Sequence, residues 1–364
     1  MPAYFAELTL TAQTAYAQLV DAALSAEHLR SVADLPGSFA SKTVKGHKYW
    51  YFQYTEPSGK LRQVFVGPDG PELQNLMARK DEVAARQPLT ALSRSAMALG
   101  CASVLPRHFR VVRRLADYGF FRAGGVLVGT HAFLAYGNML GVRWMSADRT
   151  QDIDFAHAGK SIALLLPNDV EVQTGDAIRS LGMGFLPVAG LSSKVGAGYL
   201  NPKEPEFRLD FLTTMHRGHE EPFEHTQLHV TLQPLKFMEF SLENVQQAVL
   251  FCAEGAVLAS VPHPARYALH KLLIFGERTG TFSMKGSKDL AQVAEILAWF
   301  KPHRASEVDD AWRDLLGRGP GWIARARQGL KALDAAHPDL MVSEWLRFPA
   351  VARKGGAALR AKKR

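Results

Sequence analysis

Cysteine is nearly absent from this chain. The two residues present, Cys101 and Cys252, lie far apart in apolar surroundings, which argues against a disulfide framework or a zinc cluster and fits a reducing compartment. Positive charge is missing from the start: no Lys or Arg precedes Arg30, and Glu7 is already acidic. A basic-then-apolar export leader is therefore lacking, and the expected location is cytoplasmic. Long apolar runs are scarce too. One stretch, residues 123 to 142, "AGGVLVGTHAFLAYGNMLGV", has no Lys, Arg, Asp or Glu and is about long enough to cross a bilayer. Five Gly together with Thr130, His131 and Asn138 interrupt it, and Gly129-Thr130 divides a short strand-like run from a helix-like one, so no membrane partner is expected. No internal repeat is visible.

The chain does have enough apolar residues for sizeable cores: 47% of its 364 residues are hydrophobic, which suits two domains or one elaborated by extra segments. Its net charge of +8 is unevenly placed, because the last twelve residues, "RKGGAALRAKKR", hold six Lys or Arg and no acid. That tail, residues 351–364, is expected to be disordered, and the rest is nearly balanced. A second basic cluster, "RHFRVVRR" (107–114), places Arg107, Arg110 and Arg114 on adjoining positions of a helix, a better candidate for contacting a polyanion.

The pattern along the chain predicts helices over 8–33, 72–99 and 105–118, and a hairpin over 45–67, where two aromatic and β-branched runs flank Pro-Ser-Gly. This hairpin offers Tyr49, Trp50, Tyr51, Phe52 and Tyr54 with Lys48, Lys60 and Arg62 as a stacking surface for unpaired bases; the competing reading is that one face packs on helices. The central third alternates. "GGVLVG" reads as a strand, "THAFLAYGNML" as a helix, "DIDFA" as a strand and 168–182 as a helix; "GFLPVAG", "KVGAGYL" and "EFRLDFLT" read as strands around Gly- and Pro-rich turns. Helices follow after Pro264, over 285–300, and from about 305 to 346.

Two acids stand one residue apart in "RTQDIDF" (149–155). Alternation puts Asp152 and Asp154 on one face of a strand, roughly 7 Å apart along the backbone, with Ile153 and Phe155 turned to the core. Such carboxylates repel, and a divalent cation with oxygen ligands relieves the repulsion. In "RLDFL" Asp210 likewise points away from Leu209 and Phe211, so three acids on neighbouring strands can converge. Convergent carboxylates suit phosphoryl transfer, in which two metal ions about 3.5–4 Å apart neutralise a triphosphate, activate a hydroxyl and steady the leaving pyrophosphate. Upstream, Gly129 and Thr130 end a strand and open a helix, so the backbone can approach phosphate with helix N-terminal amides facing it.

"LVGTHAFLAYG", then "RTQDIDF", then "RLDFL" resembles the nucleotidyltransferase superfamily typified by DNA polymerase β, in which a strand, a Gly-Gly or Gly-Ser turn and a helix precede an Asp-x-Asp strand and a later single acid. The Arg-Thr-x-Asp-x-Asp form is similar to bacterial nucleotidyltransferase-fold proteins that include the abortive-infection type II toxins. The likeness covers about residues 120 to 215, with an extension to about 300. It implies an α+β fold with a polymerase-β-like core over 119–300, preceded by an N-terminal helical and hairpin region (1–118) and followed by C-terminal helices (301–350). It further implies Mg²⁺ or Mn²⁺ held by Asp152, Asp154 and Asp210, an NTP substrate met by Gly129, Thr130, Arg149, Thr150 and Lys271, and a site shaped by Lys288 or Asp289. The implied activity moves a nucleoside monophosphate to an acceptor hydroxyl, with RNA or tRNA the first guess and a protein or small molecule also open; an antitoxin-like protein is a candidate partner.

Two departures stand out. Thr130 replaces the usual Ser or Gly but keeps a hydroxyl, and 21 residues separate Thr130 from Asp152, a longer interval than the common pattern. With 17 Asp in the chain, an Asp-x-Asp is expected about once by chance, so the signal is the conjunction of parts in order. Each acid also has an ordinary use: Asp152 as a turn cap, Asp154 paired with Arg149, Asp210 paired with Arg208, and Asp289 as a cap of the helix it opens. An inactive fold that serves as a nucleic-acid-binding module remains the alternative.

Overall fold

A computed structural model describes residues 4–28, 37–55, 61–85, 88–146, 150–158, 172–189, 195–215, 220–277 and 283–348. Arg149 and the tail 351–364 lie outside the described residues.

The centre is a mixed seven-stranded sheet with the order β11-β12-β10-β7-β5, from which β9 and β8 branch along β10. Its strands here are β5 (Gly125–Leu127), β7 (Ile153–His157), β8 (Leu186–Ala189), β9 (Val195–Asn201), β10 (Glu204–Thr214), β11 (Phe223–His225) and β12 (Val230–Leu235). The long strand β10 runs parallel to β7 on one side. On the other it pairs antiparallel with β9 at its start and parallel with β12 at its end. β7 and β10 alternate as their sequences dictate. Ile153, Phe155, Leu209 and Phe211 are fully buried, and the register partners Phe155 and Phe211 stack with centroids 5.3 Å apart, Phe120 meeting both edge-on. The intervening residues face the other way.

The apolar stretch at 123–142 forms β5, the buried helix α5 (Gly129–Met139) and β6 (Val142–Trp144). β6 pairs with β1 (Phe5–Glu7). Among the described residues, no helix is long and apolar enough to cross a membrane. Pro106 starts α4 (Pro106–Asp117), whose apolar face buries Phe109, Val112 and Leu115. A hairpin that the sequence pattern did not bring out, β13 (Val245–Cys252) with β14 (Gly255–Pro262), backs the sheet. It packs on α1 (Leu10–His28) and α3 (Pro88–Ala98), where the Tyr16 hydroxyl donates to the Val249 carbonyl at 3.2 Å. The expected single helix over 72–99 is two, α2 (Pro71–Ala85) and α3.

Residues 45–67 hold two strands, β3 (His47–Thr55) and β4 (Leu61–Pro68), and a preceding strand, β2 (Ser38–Val44), completes a three-stranded antiparallel sheet. The expected aromatic surface is split between its faces. Phe52 is buried against Phe39, while Tyr49 and Tyr51 point to the opposite side.

The remaining helices are α6 (Thr174–Ser180), α7 (Met238–Leu242), α8 (Pro264–Glu277), α9 (Ser283–His303), α10 (Ala305–Gly317), α11 (Pro320–Ala336) and α12 (Val342–Trp345). α8 and α11 cross with their backbones in contact. A Cβ on Gly329 would overlap the Leu272 carbonyl, and one on Gly276 would overlap that of Arg325. Two glycines at reciprocal positions let the helices approach this closely.

Candidate active site

Asp154 and Asp210 are register partners on the parallel strands β7 and β10. Asp152 lies two residues before Asp154, just ahead of β7, and the three half-buried acids share a cleft wall. The cleft has a volume of about 690 Å³ and is also lined by Gly129, Thr130, Arg208, Tyr267, His270, Lys271, Lys288 and Asp289. The geometry therefore gathers residues from five separated stretches of sequence.

The glycine turn is fitted to the acids. The Val128 amide donates to the Asp154 carbonyl at 2.9 Å, which ties the end of β5 to β7. Gly129 follows with φ +62°, and a Cβ there would overlap the Asp154 carboxylate. Only glycine satisfies both the backbone angle and the contact. Gly129 and Thr130 open α5, so the first amides of that helix, which have no intrahelical acceptor, lie at the cleft. On the neighbouring strand of the same sheet, β9 brings Gly198 beside Asp210, where a Cβ would stand 2.9 Å from Oδ1. Gly196 lines the same wall.

Side-chain partners hold the acids. The Thr150 hydroxyl donates to Asp152 Oδ1, and Arg208 Nη2 lies 3.3 Å from Asp210 Oδ1. Lys271 Nζ pairs with Asp289 Oδ1, both side chains largely buried, and lies 5.1 Å from the Tyr267 ring centre. Tyr267 supplies a contact that sequence reasoning missed: its hydroxyl donates to the Gly129 carbonyl at 3.0 Å, from 138 residues away, and lies 3.0 Å from Gln292 Oε1. Burial pushes its phenol far above the ordinary range. Its spacing to Lys271, one helical turn on α8, was the available signal.

Behind the α5 turn, His108 Nδ1 and His131 Nε2 meet at 3.0 Å, both rings buried. Burial pushes His108 down to about 4 and His131 down to about 3, with the Asp152 charge opposing the shift in each. Both are neutral at pH 7, and one ring donates to the other. Two of the four arginines of α4 are engaged with protein acids: Arg110 makes a two-pronged contact with Glu254, at 2.7 and 3.1 Å, and Arg107 bonds Glu204 and Gln151. That helix presents less free positive charge than its sequence suggests.

The acids fit a hard divalent cation in donor type, because all three offer carboxylate oxygen on one wall. Among the described residues, no group of three or more His, Cys, Asp or Glu side chains is gathered as a ligand cluster. Asp152 and Asp210 instead lean on Thr150 and Arg208.

Comparison with known family models places the chain in a family. A family model described as nucleotidyltransferase matches residues 107–317, which contain every strand and helix lining the cleft. No curated protein matches the chain. Among solved structures, it resembles an antigenic nucleotidyltransferase-like protein from Paracoccidioides brasiliensis, at 13% identity and a TM-score of 0.33, over 67% of this chain and 94% of that one.

Proposed function

We propose, from the premise that the chain belongs to the nucleotidyltransferase family matched over residues 107–317, that it moves a nucleoside monophosphate from an NTP to an acceptor hydroxyl with Mg²⁺ or Mn²⁺. The observation that carries this reading is the in-register pair Asp154 and Asp210, with Asp152, on the wall closed by the Gly129 turn. In the transfer, the acceptor oxygen forms a bond to the α-phosphorus while the bond from that phosphorus to the pyrophosphate oxygen breaks. The hydroxyl proton passes to solvent and pyrophosphate departs.

Asp152, Asp154 and Asp210 would hold the metal, which supplies charge neutralisation and a more acidic acceptor hydroxyl. The amides of the α5 turn at Gly129 and Thr130 receive phosphate oxygens. Thr150 fixes the Asp152 carboxylate, Tyr267 fixes the glycine turn, and Lys271 exchanges Asp289 for the triphosphate. Arg149 is assigned to the same triphosphate through the Arg-Thr-x-Asp-x-Asp likeness.

RNA, tRNA included, is the proposed acceptor. The test is incubation with each α-labelled NTP, Mg²⁺ or Mn²⁺, and total RNA. Label should move to RNA with wild type, stop with EDTA, and fall at least a hundredfold with Asp152→Ala; transfer that the variant retains removes these acids from the reaction. A second reading, an inactive fold that binds nucleic acid, is favoured by the occupied state of two site groups, Asp210 by Arg208 and Lys271 by Asp289. It predicts salt-sensitive RNA binding with no NTP turnover. A toxin-like role restrained by a protein partner would appear as growth arrest on expression that Asp154→Ala abolishes.

A further inference from the structure

The sheet of β2, β3 and β4 contributes nothing to the cleft, yet its composition is unusual. Its strands and the turn at Lys45 contain Lys42, Lys45, Lys48 and Arg62 and no Asp or Glu. One face is partly covered: Phe52 is buried against Phe39 and the Trp50 indole donates to Asp69 at 3.1 Å, while Val64, the register partner of Phe52, is 52% exposed. The other is open. Alternation along β3 and its register with β2 and β4 bring Tyr49, Tyr51 and Phe65 together there with Lys42, Gln53 and Gln63. Phe65 lies 5.6 Å from Tyr51 and 6.1 Å from Tyr49 between ring centres, and it is 55% exposed. Lys42 Nζ stands 4.9 Å above the Tyr51 ring and donates to Gln63 Oε1 at 2.8 Å.

We infer that this face binds single-stranded RNA. Neighbouring rings on an open sheet accept unpaired bases by stacking, a contact every base can make and a duplex withholds, while Lys42 on the same face attracts the phosphates. The amides of Gln53 and Gln63 offer donors and acceptors to a ribose 2′-hydroxyl, the group that separates RNA from DNA. A second copy of this chain is a poorer occupant. A two-fold contact would bring Lys42 of each copy onto a face whose strands offer no acid to offset it. The inference deepens the proposal that RNA is the acceptor and rests on it only for what the bound RNA is used for.

The test is fluorescence anisotropy without NTP, using a labelled 12-nucleotide single-stranded RNA, its duplex and the DNA of the same sequence. Wild type should prefer the single-stranded RNA and lose affinity as salt rises. Tyr51→Ala and Phe65→Ala, both on the open face, should each weaken binding about tenfold, and Lys42→Glu should weaken it and flatten the salt dependence. Equal affinity for the duplex or the DNA, or unchanged affinity after the ring substitutions, overturns the inference. So does a change confined to self-association in sedimentation. RNA binding that needs the rings while label transfer is absent leaves this inference standing and sinks the transferase reading; label transfer with ring-independent RNA binding does the reverse.

Discussion

Three side chains decide how the cleft is set. Tyr267 is the first, because its hydroxyl holds the carbonyl of the one residue with φ +62° that presses on Asp154. Tyr267→Phe leaves that carbonyl without its donor, a cost of about 1–3 kcal/mol, and transfer should fall roughly tenfold or more. Tyr136→Phe is the matched comparison: it removes an equally buried hydroxyl, which donates to the Pro262 carbonyl at 2.8 Å away from the cleft. It should lower the melting temperature and spare the rate. The His108 and His131 pair gives a pH prediction. Both rings are held neutral by burial, with folded values of about 4 and 3 against 6.5, so the unfolded chain binds more protons between those limits. Their contribution is complete above about 6.5 and is lost as pH falls towards 3. Thermal melts from pH 7 to 4 should show falling stability, with a shallower slope in His131→Gln. The slope should not vanish, because His157 and His225 are shifted down by burial as well.

Among the elements, the crossing of α8 with α11 carries the largest leverage on the site. α8 bears Tyr267, His270 and Lys271 on its cleft side, and its other side touches α11 through Gly276 and Gly329. Gly329→Val inserts a branched side chain against the Leu272 carbonyl, an overpacking worth about 1–3 kcal/mol. The expected outcome is a lower melting temperature together with a raised KM for NTP, measured in the label-transfer assay, as Lys271 is carried away from the cleft. Elements such as β7, β10, α4, α5 and α8 were legible because period-2 or helical apolar spacing and a Pro or Gly at the boundary mark each of them. The hairpin β13–β14 was not, since "VQQAVLFCAEGAVLASVP" is apolar nearly throughout and gives no alternation. The acids and the Gly129 turn were readable from local pattern. The pairing of Arg208 with Asp210, two residues apart on β10, was readable as well, whereas the Tyr267 contact and the Lys271–Asp289 pair depend on chain crossings that no local pattern encodes, and the division of the aromatic sheet between its two faces needed β2 as a third strand.

For the whole molecule, the family match and the folded unit do not end together. The match stops at residue 317, whereas α11, at Pro320–Ala336, buries Ala326, Leu330 and Leu333 in the same core as the α8 residues Leu269, Leu272 and Leu273. A chain cut after 317 should therefore expose that face of α8, melt at least 10 °C lower or aggregate, and lose transfer, as checked by circular dichroism and sedimentation. Its basic charge also divides by place: Arg110 and Arg107 of α4 are paired with Glu254 and Glu204, whereas the strands β2–β4 carry basic residues and no acid of their own.

The pairing of Asp154 with Asp210, backed by Phe155 on Phe211, imposes a parity rule on the gene. Loss or gain of a single codon between Asn201 and Leu209 that slid β10 by one step would turn Asp210 inward and expose Phe211, while a two-codon change would keep the odd and even faces in place. A two-step slide would still set Arg208 or Leu212 opposite Asp154, so it is expected to preserve the core face while abolishing the acid pair.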